Sequence, residues 1–138
     1  MALVPIHGSV GYFNLDNAAG SPIDLTDYVK EVNLTLDIQV HDVTTLGHTS
    51  RVKVVGLKDG KFTVTFINDS VIMTQLFALW TTQALRTWVV GPRGSTAGYQ
   101  KITGEAWLTS LPINVQVDDV EMIQASFEVS DAASLTTF

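Results

Sequence analysis

The sequence predicts a mainly β protein, an antiparallel β-sandwich or barrel with one flanking α-helix. Three observations carry that expectation. Residues 31–40, EVNLTLDIQV, alternate strictly between apolar and polar side chains. Asp59-Gly60 sits between two runs of strand-forming residues, RVKVVGLK and KFTVTF. One helical-period stretch, residues 70–85, is followed by further alternating segments.

The elements follow in chain order. VGYFNLD, residues 10–16, reads as a strand. NAAGSPIDLTDY is a turn-rich connection in which DLTDYV makes one short helical turn. In residues 31–40, Val32, Leu34, Leu36, Ile38 and Val40 share one face, and Asn33, Thr35, Asp37 and Gln39 share the other. This is a half-buried strand with Leu34, Leu36 and Ile38 in the core. Asp59-Gly60 is a favoured two-residue turn. It pairs Lys58 with Lys61, Leu57 with Phe62, Val55 with Val64 and Lys53 with Phe66, placing Val55, Leu57, Phe62, Val64 and Phe66 on one side. Asp69 or Ser70 can cap a helix. Ile72, Leu76, Leu79 and Trp80 form its apolar stripe, widened by Met73 and Phe77. TWVVG, YQKITGEAWLTSL, INVQV and MIQASFEVS read as strands, the first two joined by the hairpin loop PRGSTAG.

Composition narrows the function classes. The chain has 138 residues, the size of one domain. Charged residues make up 16%, against about 25% in an average soluble domain. So low a fraction suits a surface that something else covers. There are no cysteines, which excludes disulfides and thiolate metal sites. The N-terminus lacks the basic region and apolar run of a secretory signal. No segment reaches the roughly 20 apolar residues of a membrane span. The chain therefore reads as made and folded in a cytoplasm. The net charge is −6, and the basic residues gather only at Arg51, Lys53, Lys58 and Lys61. Tight nucleic-acid binding, which needs clustered Lys and Arg against phosphates, does not fit.

No catalytic constellation emerges. His41, Asp42 and His48 lie close in sequence, but their spacing matches no metal motif and no fourth ligand is at hand. GSTAG has Thr where a nucleophile elbow needs Ser. DNAAGSPID lacks the alternating oxygen ligands and closing Glu of a calcium loop. Asp118, Asp119 and Glu121 are neighbouring acids in a strand connection, which reads as solvated charge. Trp80 lies in the helix stripe and Trp107 within a strand, so core packing is favoured over a sugar platform. The chain reads as a non-enzyme without a cofactor.

The segment FNLDNAAGSPIDLTDYVKEVNLTLDIQVHDVTTLGHTSRVKVVGLKDGKFTVTF resembles the N-terminal half of the major tail tube proteins of long-tailed bacteriophages. The shared features are Asp16 with a small-residue turn, DLTDYV, the alternating strand, DVTTLG, Arg51, and GLKDGKF leading into a strand. The resemblance covers residues 13–66, and beyond them it rests on the order of helix and closing strands. It implies one tail-tube domain over residues 1–138, without a C-terminal decoration domain. It implies a structural subunit that forms hexameric rings, stacked into a hollow tube for DNA passage. The implied partners are further copies of the chain, the tape measure, terminator and baseplate or tip proteins, and viral DNA that passes without specific binding. No membrane is involved. The implied place is the virion tail, with assembly in the host cytoplasm. Tail terminator and completion proteins share these features, and a β-sandwich binding module outside phages is the alternative from another class.

Between the alternating strand and the following run lies a long polar loop: His41, Asp42, Val43, Thr44, Thr45, Leu46, Gly47, His48, Thr49 and Ser50. A connection of this length within a compact domain is usually functional or disordered. Without a catalytic set, assembly is the function left, and the expectation is that these residues lie against a neighbouring subunit.

Overall fold

A computed structural model of the chain describes residues 11–113 and 121–138. The elements run β1 (Tyr12–Asp16), β2 (Pro22–Asp24), a 3-10 turn (Thr26–Tyr28), β3 (Val29–Asp42), β4 (Lys53–Ile67), α1 (Ser70–Thr81), β5 (Arg86–Gly91), β6 (Gln100–Ser110) and β7 (Met122–Thr137). The strands form one seven-stranded sheet in the order β2-β1-β5-β6-β7-β4-β3. Every neighbouring pair is antiparallel. INVQV, read as a strand, falls largely outside the described residues. Its first residue, Ile113, bridges to Ile123.

The sheet curls on itself. β1 and β4 are four inter-strand steps apart, about 19 Å in a flat sheet. Yet the Phe13 ring on β1 lies 6.4 Å from Phe62 and 6.2 Å from Phe66 on β4. The inner face of the curl is the core, and strand alternation fills it. β4 contributes Phe62, Val64 and Phe66, β7 contributes Ile123, Ala125 and Phe127, and β5 contributes Trp88. Phe62 stacks on its cross-strand partner Phe127, centroids 4.7 Å apart. Its ring also lies 4.9 Å from Trp88. This is the mainly β sandwich-like architecture with a flanking helix that the alternation implied.

The helix covers the core through Ile72, Leu76 and Leu79, all buried. At 3.6 residues per turn, Trp80 points about 75° from the centre of that stripe and Phe77 about 130°. Both are accordingly about half exposed, so the stripe is narrower than the sequence suggested. The helix ends at Thr81 and does not reach residue 85. The buried Arg86 side chain takes up the helix end, donating to the Thr82 carbonyl and, at 2.8 Å, to the Asn17 carbonyl. Of the tryptophans, Trp88 alone is fully buried. Trp80 and Trp107 are not core residues. Trp107 lies opposite Glu128, itself opposite Lys61, on the outer face of the sheet.

Two strand expectations need correction. Asp59-Gly60 is not a turn. It lies within β4, with Asp59 opposite Asp37 and Gly60 opposite Leu36. The β3–β4 ladder pairs twelve positions, far more than a local hairpin around Asp59-Gly60 can offer. The glycine has a different use. A Cβ at Gly60 would meet Leu36 Cδ2 at 3.0 Å and Val129 Cβ at 3.3 Å, so its absence lets both side chains close over the strand.

The second correction concerns faces. Val32 and Leu34 pack against the core, but Leu36, Ile38 and Val40 are more than half exposed, as are Val55 and Leu57. The cause is sheet extent. β7 pairs with β4 only from Lys61 to Ile67. Beyond Lys61, β3 and β4 continue as a two-stranded ribbon with no third strand and no opposing layer among the described residues. That ribbon is an arm projecting from the sheet.

Candidate functional site

The arm carries the residues singled out as an interface. His41 and Asp42 are not loop residues but the last rungs of β3, opposite Val54 and Lys53. The connection proper begins at Val43, whose N–H donates to the Val52 carbonyl at 2.8 Å. Within it, side chains replace the missing ladder. The Asp42 Oδ1 accepts from the Thr44 hydroxyl at 2.6 Å and from the Thr44 N–H at 3.0 Å. The Thr44 hydroxyl accepts from the Val52 N–H at 2.7 Å, closing the loop neck. Asp42 Oδ2 accepts from Arg51 at 2.7 Å. Nearer the tip, the His48 N–H donates to the Thr45 carbonyl at 3.0 Å, and its Nδ1 faces the Thr45 hydroxyl at 2.9 Å. Leu46, between them, is fully exposed.

These bonds make the tip a shaped element, and they account for Asp42. Hydrogen bonds from the Thr44 hydroxyl and N–H, then from Arg51, hold its carboxyl below the usual aspartate range. A depressed carboxylate contributes stability above its unfolded pKa and loses it as pH falls through the lower folded value. The tip should therefore keep its order down to about pH 4 and loosen progressively below. Amide exchange at Thr44 and Val52 checks this. Fast exchange already at pH 6 would show that Asp42 does not hold the neck.

The metal reading of His41, Asp42 and His48 gains nothing from the geometry. The Asp42 carboxyl is engaged by Thr44 and Arg51. Among the described residues, no three potential ligands gather. Asp118 and Asp119 lie outside the described residues. Glu121 accepts from the Asn68 amide at 2.6 Å, a structural tie. In DNAAGSPID, Asn17 Oδ1 accepts from the N–H groups of Ala19 and Ser21, and Gly20 takes φ +84°, a side-chain-stabilised turn. Among the described residues, no helix is long and apolar enough to cross a membrane.

Two surfaces stand out. The first is the apolar face of the arm. Leu36, Ile38 and Val40 are alternate residues and share a face. Val55 lies opposite Val40 and joins them. This face continues the core-facing side of Leu34 and Phe62, but nothing within the described chain covers it. The second is the outer face of the sheet across β3, β4 and β7. Its rows are Glu31, Thr65 and Gln124, then Asn33, Thr63 and Ser126, then Thr35, Lys61 and Glu128. It is polar and rich in hydroxyl and amide groups, and Lys61 is the one cation within these three rows.

No protein-family description and no curated protein matches the sequence. Solved structures do. A chain of the tail of an empty gene transfer agent particle, refined with C6 symmetry, superposes with a TM-score of 0.77 at 12% identity, covering 96% of this chain and 100% of that one. A chain of the SPP1 tail tube gives 0.73 at 16% identity, over 97% of this chain and 80% of its own length. A chain of the anti-feeding prophage baseplate gives 0.70 at 10% identity, over 99% and 98%. Nearly the whole described chain, arm and flanking helix included, thus has the fold seen in chains of tails, tail tubes and related particles.

Proposed function

We propose that the chain, as a single tail-tube domain, is the structural subunit of a tail tube, assembling as stacked sixfold rings around a conduit for DNA. The observation that carries this is the projecting arm, whose apolar face the described chain leaves uncovered. An apolar sheet face of this kind needs a partner, and further copies of the chain are the partner the fold suggests. The C6 symmetry of one similar tail supports rings of six. Residues 41–50 are the proposed subunit contact, with the ordered tip as the part that reaches a neighbour. The polar outer face of β3, β4 and β7 is the proposed bore wall. With Lys61 as the one cation in its three central rows, it offers DNA no row of charges to displace counterions and hold phosphates. The role is structural, not catalytic. Tape measure, terminator and baseplate or tip proteins are the further partners, the virion tail is the place, and assembly takes place in the host cytoplasm.

Size-exclusion chromatography with negative-stain microscopy tests this. Concentrated protein, seeded with a tail initiator complex if needed, is expected to form tubes of uniform bore. Isolated single rings point to a terminator instead. A protein that stays monomeric with and without the seed is a binding module or something else. In the same assay, replacing residues 44–51 with a two-residue Asn-Gly turn should leave the sheet folded, because the β3–β4 ladder and not the loop holds the register. Polymerisation should be lost. Tubes of normal length from the shortened chain rule out the loop as a contact.

A further inference from the structure

At the root of the arm lies a groove of about 240 Å³. Leu36, Ile38, Gly60, Val129, Ala132 and Ala133 give it apolar walls, and at Gly60 the side chains of Leu36 and Val129 lie close over the bare backbone and form its floor. One wall exists because β7 departs from its ladder. Between the pairs Glu105–Ser130 and Thr103–Ser134, β7 carries the three residues Asp131 to Ala133 against the single residue Gly104, an excess of two. Asp131 there takes a left-handed φ of +64° and turns its carboxyl onto the Ala132 N–H at 2.8 Å. The bulge pushes Ala132 and Ala133 toward the arm. Asp37, Asp59 and Asp131 rim the groove, with Lys58 as the one cation of the lining.

At the other end of the same arm stands Leu46, fully exposed. A lone exposed leucine is ordinary. This one sits on a loop that Thr44, Asp42, Arg51, Thr45 and His48 hydrogen-bond into shape. Holding it out costs little further ordering on contact.

We propose that Leu46 at the arm tip of one copy seats in the arm-root groove of a second copy. This rests on the tube reading and names the contact within it. The knob and the hole are different patches of one chain, so the contact is heterologous and can repeat from copy to copy. The charges agree. The groove rim is net acidic, while Arg51, whose side chain remains 77% exposed beside Asp42, and Lys53 flank the tip. A four-carbon side chain fits the groove, and the two alanines of the bulge leave room for it to enter. One leucine does not hold two chains together. The same contact repeated around a ring acts as a multivalent set.

The chain has no cysteines, so a disulfide test has no background. Leu46→Cys and Ala132→Cys are placed on separate chains and mixed together into excess wild-type protein, so that assembly does not depend on either variant. Both positions are exposed and tolerate the change. Seating brings the two Cβ atoms within reach of a disulfide, roughly 3.5–4.5 Å. On mild oxidation, the assembled fraction should yield the heterodimer at about tenfold or more over the unassembled mixture, because neighbours hold the thiols at high effective concentration. Assemblies that contain both variants without the heterodimer overturn the proposal and leave the tube reading intact. Leu46→Cys homodimers in its place overturn it too, since they mean tip meeting tip. Wild-type protein that forms no assembly under any condition defeats the tube reading and takes this contact with it.

Discussion

Phe62→Ala is expected to be the most destabilising single change in the sheet, costing about 3–5 kcal/mol. Phe62 is 1% exposed. Its ring stacks on Phe127, abuts Trp88 and meets Phe13 edge-on, so it ties β4 to β7, β5 and β1 at once. Truncation leaves a cavity bounded by rings from three other strands, none of which can collapse into it without breaking its own contacts. Against a total stability of about 5–15 kcal/mol for a domain, the loss is a large fraction of the whole. Thermal unfolding should fall by about 10–20 °C, and the urea midpoint should drop with an unchanged slope. A loss below about 1 kcal/mol would falsify the picture of a curled sheet closed through Phe62.

The paired substitution Leu36→Asp with Ile38→Asp should do the opposite, sparing the fold and abolishing assembly. Both side chains are more than half exposed on the arm. Their replacement therefore buries no carboxylate within the chain. The cost to the monomer is expected to stay near 1 kcal/mol, from lost strand propensity and side-chain contact. In a tube, the same carboxylates would be pressed into an apolar contact unpaired, where desolvation costs several kcal/mol per group. The readouts are the monomer's melting temperature and the tube yield by sedimentation. An unfolded or insoluble double variant places these leucine and isoleucine side chains in the core of a single chain after all. Normal tubes mean that the apolar face of the arm is not a contact.

The two substitutions also mark where sequence reading reached and where it stopped. Alternation in residues 31–40 and 62–66, and the Ile72, Leu76 and Leu79 spacing, are local signals of period two and 3.6. They marked most of the described strands and the one described helix, and turned Ile72, Leu76 and Leu79 inward, but they also counted Trp80 in the stripe, which the structure leaves half exposed. Composition likewise pointed to a covered surface. Alternation says that one face of a strand is apolar; it does not say what lies opposite that face. Leu34 and Leu36 have the same pattern in the sequence. Leu34 is opposite Phe62, inside the span that β7 extends, whereas Leu36 is opposite Gly60, one rung beyond it. The point where β7 stops pairing with β4, at Glu128 and far along the chain from both, decides their burial. Asp59-Gly60 is the same lesson in turn chemistry. Its local preference for a hairpin is worth less than twelve paired positions with β3. The candidate contact divides in the same way. The sequence determined that residues 41–50 form a long polar connection without chemistry. Only tertiary structure made it the tip of an arm, because a ribbon projects where its neighbours in the sheet end. It also placed the groove at the arm's root, because that hollow needs a bulge in β7 and a bare Gly60 in β4 to face each other across the sheet.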